Sequence, residues 1–161
     1  MDLEAQIDIS APRTEVFDYL AHGEYLPEYA SDFVWVRRIL GAKPGLDAEY
    51  AYKMKRGTEG TFRHAVYEPH SRLVWQGPPA RSGPGTMAPS GTWALSDIEG
   101  GTRVNLVMSP TPGGFLRVMA PVISKSVAKQ LPASLTRLKQ RLERNVQDGS
   151  EGGPTSRPAR G

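Results

Sequence analysis

The chain contains no cysteine among its 161 residues. Disulfides, thiolate nucleophiles and cysteine metal sites are excluded together, and a reducing compartment fits. Histidine is nearly as scarce: His22, His64 and His70 are the only three, too scattered to propose a metal site. No run approaches the roughly 18 consecutive apolar residues that a membrane-spanning helix needs. The opening residues, MDLEAQIDIS, lack the basic and apolar stretches of a secretory leader. A cytoplasmic protein without stable membrane insertion is therefore expected. Also missing are a phosphate-binding P-loop, an HExxH zinc motif and a Gly-x-Ser-x-Gly elbow, so nothing supports nucleotide, metalloprotease or hydrolase chemistry.

What is present is one long periodic stretch. In residues 115–146, Ile123, Val127, Leu131, Leu135, Leu138, Leu142 and Val146 recur every three or four positions. That spacing predicts a single apolar stripe along a helix. The other face carries Lys125, Lys129, Arg137, Lys139, Arg141 and Arg144, with Glu143 as its only acid. The net charge of +3 is uneven. Residues 1–114 hold 11 basic against 14 acidic side chains, and residues 115–146 hold 7 against 1. A basic helix face is either a solvated surface or a contact for an anionic partner or membrane. Aromatic residues are not interleaved with the lysines and arginines, so a nucleic-acid partner is not expected.

The preceding residues read as short strands. Residues 3–9 alternate, with Leu3, Ala5, Ile7 and Ile9 on one side. Pro12 then opens a short helix with Val16, Phe17 and Leu20 on its buried face, and residues 24–30 form a second helical turn. Residues 32–40 make a strand whose inward side is ambiguous, because both faces are apolar. Residues 46–55 place Leu46, Ala48, Tyr50, Tyr52 and Met54 on one face, and residues 61–68 place Phe62, His64 and Val66 there. Leu73 to Trp75, residues 92–96 and residues 102–108 complete the strands. Between them, GPPARSGPGTMAPSG over 77–91 is either a long loop at a cavity mouth or a crossing between strands. Residues 110–114 break the sheet before the long helix. Pro121 and Pro132 predict a first segment over 115–120 with a kink or restart near Pro121, and either a second irregularity near Pro132 or the start of the main helix there. A domain over 1–146 is followed by 147–161, which lack apolar content and are expected to be disordered.

Several short motifs fit one family in order along the chain. They are Ile9-Ser10-Ala11-Pro12 with Val16-Phe17-Asp18-Tyr19-Leu20, Glu68-Pro69-His70-Ser71-Arg72-Leu73-Val74-Trp75, and Gly100-Gly101-Thr102-Arg103-Val104. Ala120-Pro121, Gln130-Leu131 and Leu135-Thr136-Arg137-Leu138-Lys139 follow near the end. Over roughly residues 3–144 this pattern resembles the START/polyketide cyclase superfamily. The resemblance implies an α+β helix-grip fold: a curved antiparallel sheet of about seven strands wrapped around a long C-terminal helix, with two short helices after the first strand. It also implies an internal cavity for a bulky hydrophobic molecule, polyketide or lipid-like. In some members the substrate is presented by an acyl carrier protein, and no cofactor or metal is implied.

Within such a cavity, His64 is the first catalytic candidate. It sits on an apolar strand face near Tyr50 and Tyr52, where it either moves protons during cyclisation or dehydration or is a hydrogen-bonded core histidine. Tyr50 and Tyr52 would orient a ketone or enolate. Arg63 would stabilise an enolate oxygen if the strand faced the other way, and is otherwise an exposed strand residue. Trp75, Trp93, Met108, Met119 and Ile123 are candidates to line the pocket, or are plain core. Tyr29, with Tyr25, would stand at the entrance or on the surface. Pro121 would divide a mobile, lid-like segment from the anchored helix.

Overall fold

The structure, a computed structural model, describes residues 2–151. Its frame is a seven-stranded antiparallel sheet in the order β1-β9-β8-β5-β4-β3-β2. These strands are β1 (Leu3–Ile9), β2 (Phe33–Leu40), β3 (Glu49–Met54), β4 (Glu59–Glu68), β5 (Arg72–Gln76), β8 (Ser90–Ile98) and β9 (Gly101–Met108). Between β1 and β2 lie helix α1 (Arg13–Ala21) and a short 3-10 helix (Gly23–Glu28). The chain closes with a 3-10 turn (Phe115–Arg117) and helix α2 (Ala120–Glu151). This is the α+β helix-grip architecture.

The period of two fixes which side of each strand faces in. Tyr50 and Tyr52 on β3, Phe62 and His64 on β4, Leu73 on β5, Trp93 and Leu95 on β8, and Val104 and Leu106 on β9 are all buried. Two cores result. The larger joins β1, β5, β8, β9, α1 and the leucines of α2, and the smaller holds Val36, Ala48, Tyr50, Tyr52 and Phe62. Trp75 and Leu26 pack against both.

Four expectations change here. The proline-rich stretch 77–91 is not an irregular loop: it contributes β6 (Ala80–Ser82) and β7 (Gly85–Ala88). Residues 110–114 do not end strand pairing, since β10 (Thr111–Gly114) pairs with β7. The small sheet runs β10-β7-β6, which matches β9-β8-β5 strand for strand. It is therefore a continuation of those three strands past a bend. Pro78, Pro79, Pro89 and Pro110 lie on that bend line, where a residue without an N–H ends a ladder. Strand β3 starts only at Glu49, and Leu46 lies outside it, 57% exposed, because the turn through Gly45 is still under way. Finally, α2 carries helix through Glu151, past the expected boundary at 146. The rest of the expected tail, 152–161, lies outside the described residues.

The prolines of the last helix behave differently from each other. Pro121 occupies the first turn of α2, where its missing donor costs nothing. Pro132 sits inside a continuous helix, on its exposed side, and the Thr136 hydroxyl donates to the Pro132 carbonyl at 2.9 Å. No restart occurs at Pro132. Leu131, Leu135, Leu138 and Leu142 are at most 6% exposed and join the larger core. Polar ties hold the same half: Arg137 donates to the Tyr29 carbonyl at 3.0 Å, and Lys139 to the Asp8 carbonyl at 3.0 Å. The Ser10 amide donates to the Glu143 carboxylate at 2.8 Å, and Arg141 pairs with Glu28 at 3.1 Å.

Candidate functional site

The interior between the two cores is marked by side chains that point inward yet are not sealed. Phe33, Met54, Trp75 and Met108 from the sheet, Leu26 from the 3-10 helix, and Ile123 and Val127 from α2 are all only partly buried. Phe33 and Met54 pack on the smaller core, Met108 and Val127 on the larger, and Trp75 and Leu26 on both. A side chain packed on a core but not covered borders space that a ligand can fill. Trp75 sets the floor. Its ring lies across Gly91, where a Cβ would come within 2.1 Å of it, and next to Trp93 at a centroid distance of 6.0 Å. Only glycine at 91 lets the indole lie flat there.

His64 faces in, as the alternation predicts, and is 3% exposed. Its neighbours are the rings of Tyr50, Phe62 and Tyr67, at centroid distances of 5.7, 6.3 and 6.1 Å. Its Nδ1 is buried with no hydrogen-bond partner among the described residues. Burial in this apolar setting lowers its pKa to about 4, so the ring is neutral near pH 7. A base so far below neutrality accepts a proton only weakly, and the ring is walled off by its aromatic neighbours.

The tyrosines do not converge on the histidine as expected. Tyr50 touches it, but its hydroxyl is committed, donating to the Ala21 carbonyl at 3.2 Å. Burial raises the Tyr50 pKa, opposed by a hydrogen bond from Arg38. Tyr52 lies one step further along β3, against Phe33 and Phe62. Its hydroxyl lies over Gly60, where a Cβ would meet it at 2.7 Å. Burial alone raises its pKa, so it stays a neutral phenol. Tyr29 is not at an entrance: it is 5% exposed, packs edge-on to Trp93, and burial raises its pKa strongly. Trp93 is likewise core, at 6% exposure. Met119 lies in the turn just before α2, 36% exposed.

Arg63 belongs to a different space. It points away from His64, is exposed, and lines an open groove of about 570 Å³ with Glu49, Gln76, Ser90, Ser109 and Thr111. Phe62, Pro78, Ala88 and Pro89 line it too, so the groove is mixed in polarity, and it takes Arg63 out of the interior. One interior pair escaped the sequence reading. Glu24 on the 3-10 helix meets Arg38 on β2 at 3.3 Å, with Glu24 Oε1 and Arg38 Nη1 buried and otherwise unpartnered. No local pattern announces it, because β2 is apolar on both sides. Met54 shares the alternating face of Tyr50 and Tyr52, so its inward direction was readable from spacing. Leu26 and Phe33 were not, since both sit at irregular joints. Among the described residues, no three His, Asp or Glu side chains gather to hold a metal ion, and no helix is long and apolar enough to cross a membrane.

Comparison with known proteins bears on this geometry. The family model described as "Polyketide cyclase / dehydrase and lipid transport" matches residues 1–143. The chain belongs to that family. No curated protein matches the sequence. Solved structures share the fold at low identity. A protein of Thermus thermophilus has a TM-score of 0.72 at 16% identity, covering 88% of this chain and 97% of its own. A START superfamily protein of Mycobacterium smegmatis has a TM-score of 0.70 at 9% identity, covering 89% and 97%. The di-domain ARO/CYC BexL of the BE-7585A biosynthetic pathway has a TM-score of 0.68 at 20% identity, covering 93% of this chain and 47% of its own. Such identities carry the fold alone.

Proposed function

We propose that this family member encloses a bulky, flat, hydrophobic small molecule of polyketide type between the sheet and the first half of α2, and acts as a cyclase- or dehydratase-like protein. The observation that carries this reading is the set of half-buried apolar side chains on the inward face of the sheet, Phe33 and Met54 on the smaller core, Met108 on the larger and Trp75 on both. Trp75 offers an aromatic face for stacking, and the methionines adapt to an irregular outline. Holding a flexible reactive chain in one folded conformation supplies much of a cyclisation barrier without a dedicated acid or base. In this reading the chain arrives on an acyl carrier protein, and Tyr52, packed against Phe33, supplies a phenol to its carbonyls.

A second reading, non-catalytic carriage of the same class of molecule, is favoured by one observation. His64, the only histidine facing in, is sealed and neutral. Both readings share the chamber, so it is tested first. Titration with a planar polycyclic phenol should quench the fluorescence of Trp75 and Trp93, and Trp75→Ala should weaken binding about tenfold or more. Undiminished binding by Trp75→Ala would remove the chamber. Turnover of a linear poly-β-ketone mimic then separates the two readings, and loss of turnover in Tyr52→Phe supports the enzyme.

A further inference from the structure

A second apolar stripe runs along the start of the last helix and faces the solvent. Phe115, Val118, Met119 and Val122 are 55%, 75%, 36% and 65% exposed. Their spacing of three, one and three puts them on one helical face, and backbone bonds such as Val118 N–H to the Phe115 carbonyl keep the turn helical there. The buried leucines of α2 begin only at Leu131. The exposed stripe continues into cations: Val118, Val122, Lys125 and Lys129 follow at spacings of four, three and four, so the two lysines stand above the valines on the same side. Arg117 adds a third exposed cation. Among the described residues none of the three forms an ion pair, unlike Lys139 and Arg141 further along. No Asp or Glu occurs between Glu99 and Glu143.

We propose that this tip docks on an anionic lipid surface, with Phe115, Val118, Met119 and Val122 entering the apolar boundary and Arg117, Lys125 and Lys129 reaching lipid phosphates. Lys125 lies about 4.5 Å and Lys129 about 10 Å up the helix from Val122, at 1.5 Å per residue. That is the depth range over which lysine stems extend to headgroups from an inserted apolar tip. Area decides against a protein partner of opposite charge. Two turns of one helix face present a few hundred Å² at most, well short of the roughly 800 Å² per partner of a stable protein interface. A bilayer needs only a few inserted side chains. The inference goes beyond the functional reading above and does not depend on turnover.

Co-sedimentation of the full chain, without ligand, with phosphatidylcholine vesicles containing about 30 mol% phosphatidylglycerol tests it. Binding is expected to these vesicles and not to pure phosphatidylcholine, and to weaken with added salt. Lys125→Gln with Lys129→Gln should weaken it about 25-fold, at roughly fivefold per cation. Val118→Asp with Val122→Asp should abolish it while the thermal midpoint stays put, because both side chains are exposed. Absence of binding to anionic vesicles would overturn the proposal, as would equal binding by the aspartate variant. So would finding that the tip substitutions disrupt binding to an acidic carrier protein while leaving vesicle binding intact. Failure here leaves the tryptophan-quenching result untouched, so the two readings fail separately.

Discussion

The two halves of the last helix have similar composition and opposite fates. Over 131–146 the four leucines are buried in the core with β1 and α1, and Arg137, Lys139 and Arg141 each reach a carbonyl or carboxylate. Over 115–130 four apolar residues face solvent, Ile123 and Val127 are half covered, and the cations stand free of ion pairs among the described residues. A basic, amphipathic helix is therefore two devices in series. One is a structural strut whose charges are consumed internally, and the other is a cover whose charges remain available. The sheet shows the same division. Tyr50, Phe62 and His64 are sealed beneath the junction of α1 and the 3-10 helix, where Gly23 leaves no room for a Cβ against Tyr50. Phe33, Met54, Trp75 and Met108 remain open.

The contrast is sharpest in core truncation. Leu138→Ala should destabilise by about 2–5 kcal/mol through loss of burial and a residual cavity, and Val122→Ala by under about 0.5 kcal/mol. Urea unfolding of the two variants measures this, and equal losses would erase the division. The sealed region should next reveal itself through pH. His64 titrates near 6.5 when unfolded and near 4 when folded, so below pH 6.5 the unfolded chain binds the extra proton. Stability rises with pH wherever the unfolded state holds more protons. The contribution is complete above about pH 6.5 and is lost as pH falls to about 4, to a limit of about 3 kcal/mol at 1.36 kcal/mol per unit. His64→Phe should flatten that part of the stability profile relative to the parent chain. Hydrogen exchange supplies the smallest effect. Amides of 115–121 should exchange about a hundredfold faster than those of 133–144, reflecting local opening. Equal protection would refute a lid-like first half.

Much of the architecture was legible because burial follows period. The stripe from Leu131 to Leu142 and the alternation of Tyr50, Tyr52, Phe62 and His64 both face inward as spacing requires. The bent small sheet was not legible, since β6, β7 and β10 are three or four residues long and carry prolines and glycines that locally signal turns. Their pairing is long-range, and no window of sequence contains both partners. The candidate site was read unevenly for the same reason. Trp75 and Met108 are half-buried on the inward side of their strands, whereas Tyr29 and Trp93 are core and Arg63 lies on the opposite face.

By itself the sequence determined the periodicities: which residues form strands or helices and which side of each is apolar. That information is local, and side-chain direction follows from backbone geometry. Only the tertiary structure decided which apolar positions meet a neighbour and which meet space. It sealed His64 among three aromatic rings, left Trp75 uncovered over Gly91, and split one basic helix into an anchored half and an exposed tip. An inward-facing residue gains a function only if nothing else fills the volume before it, and that volume is set by elements distant in the chain.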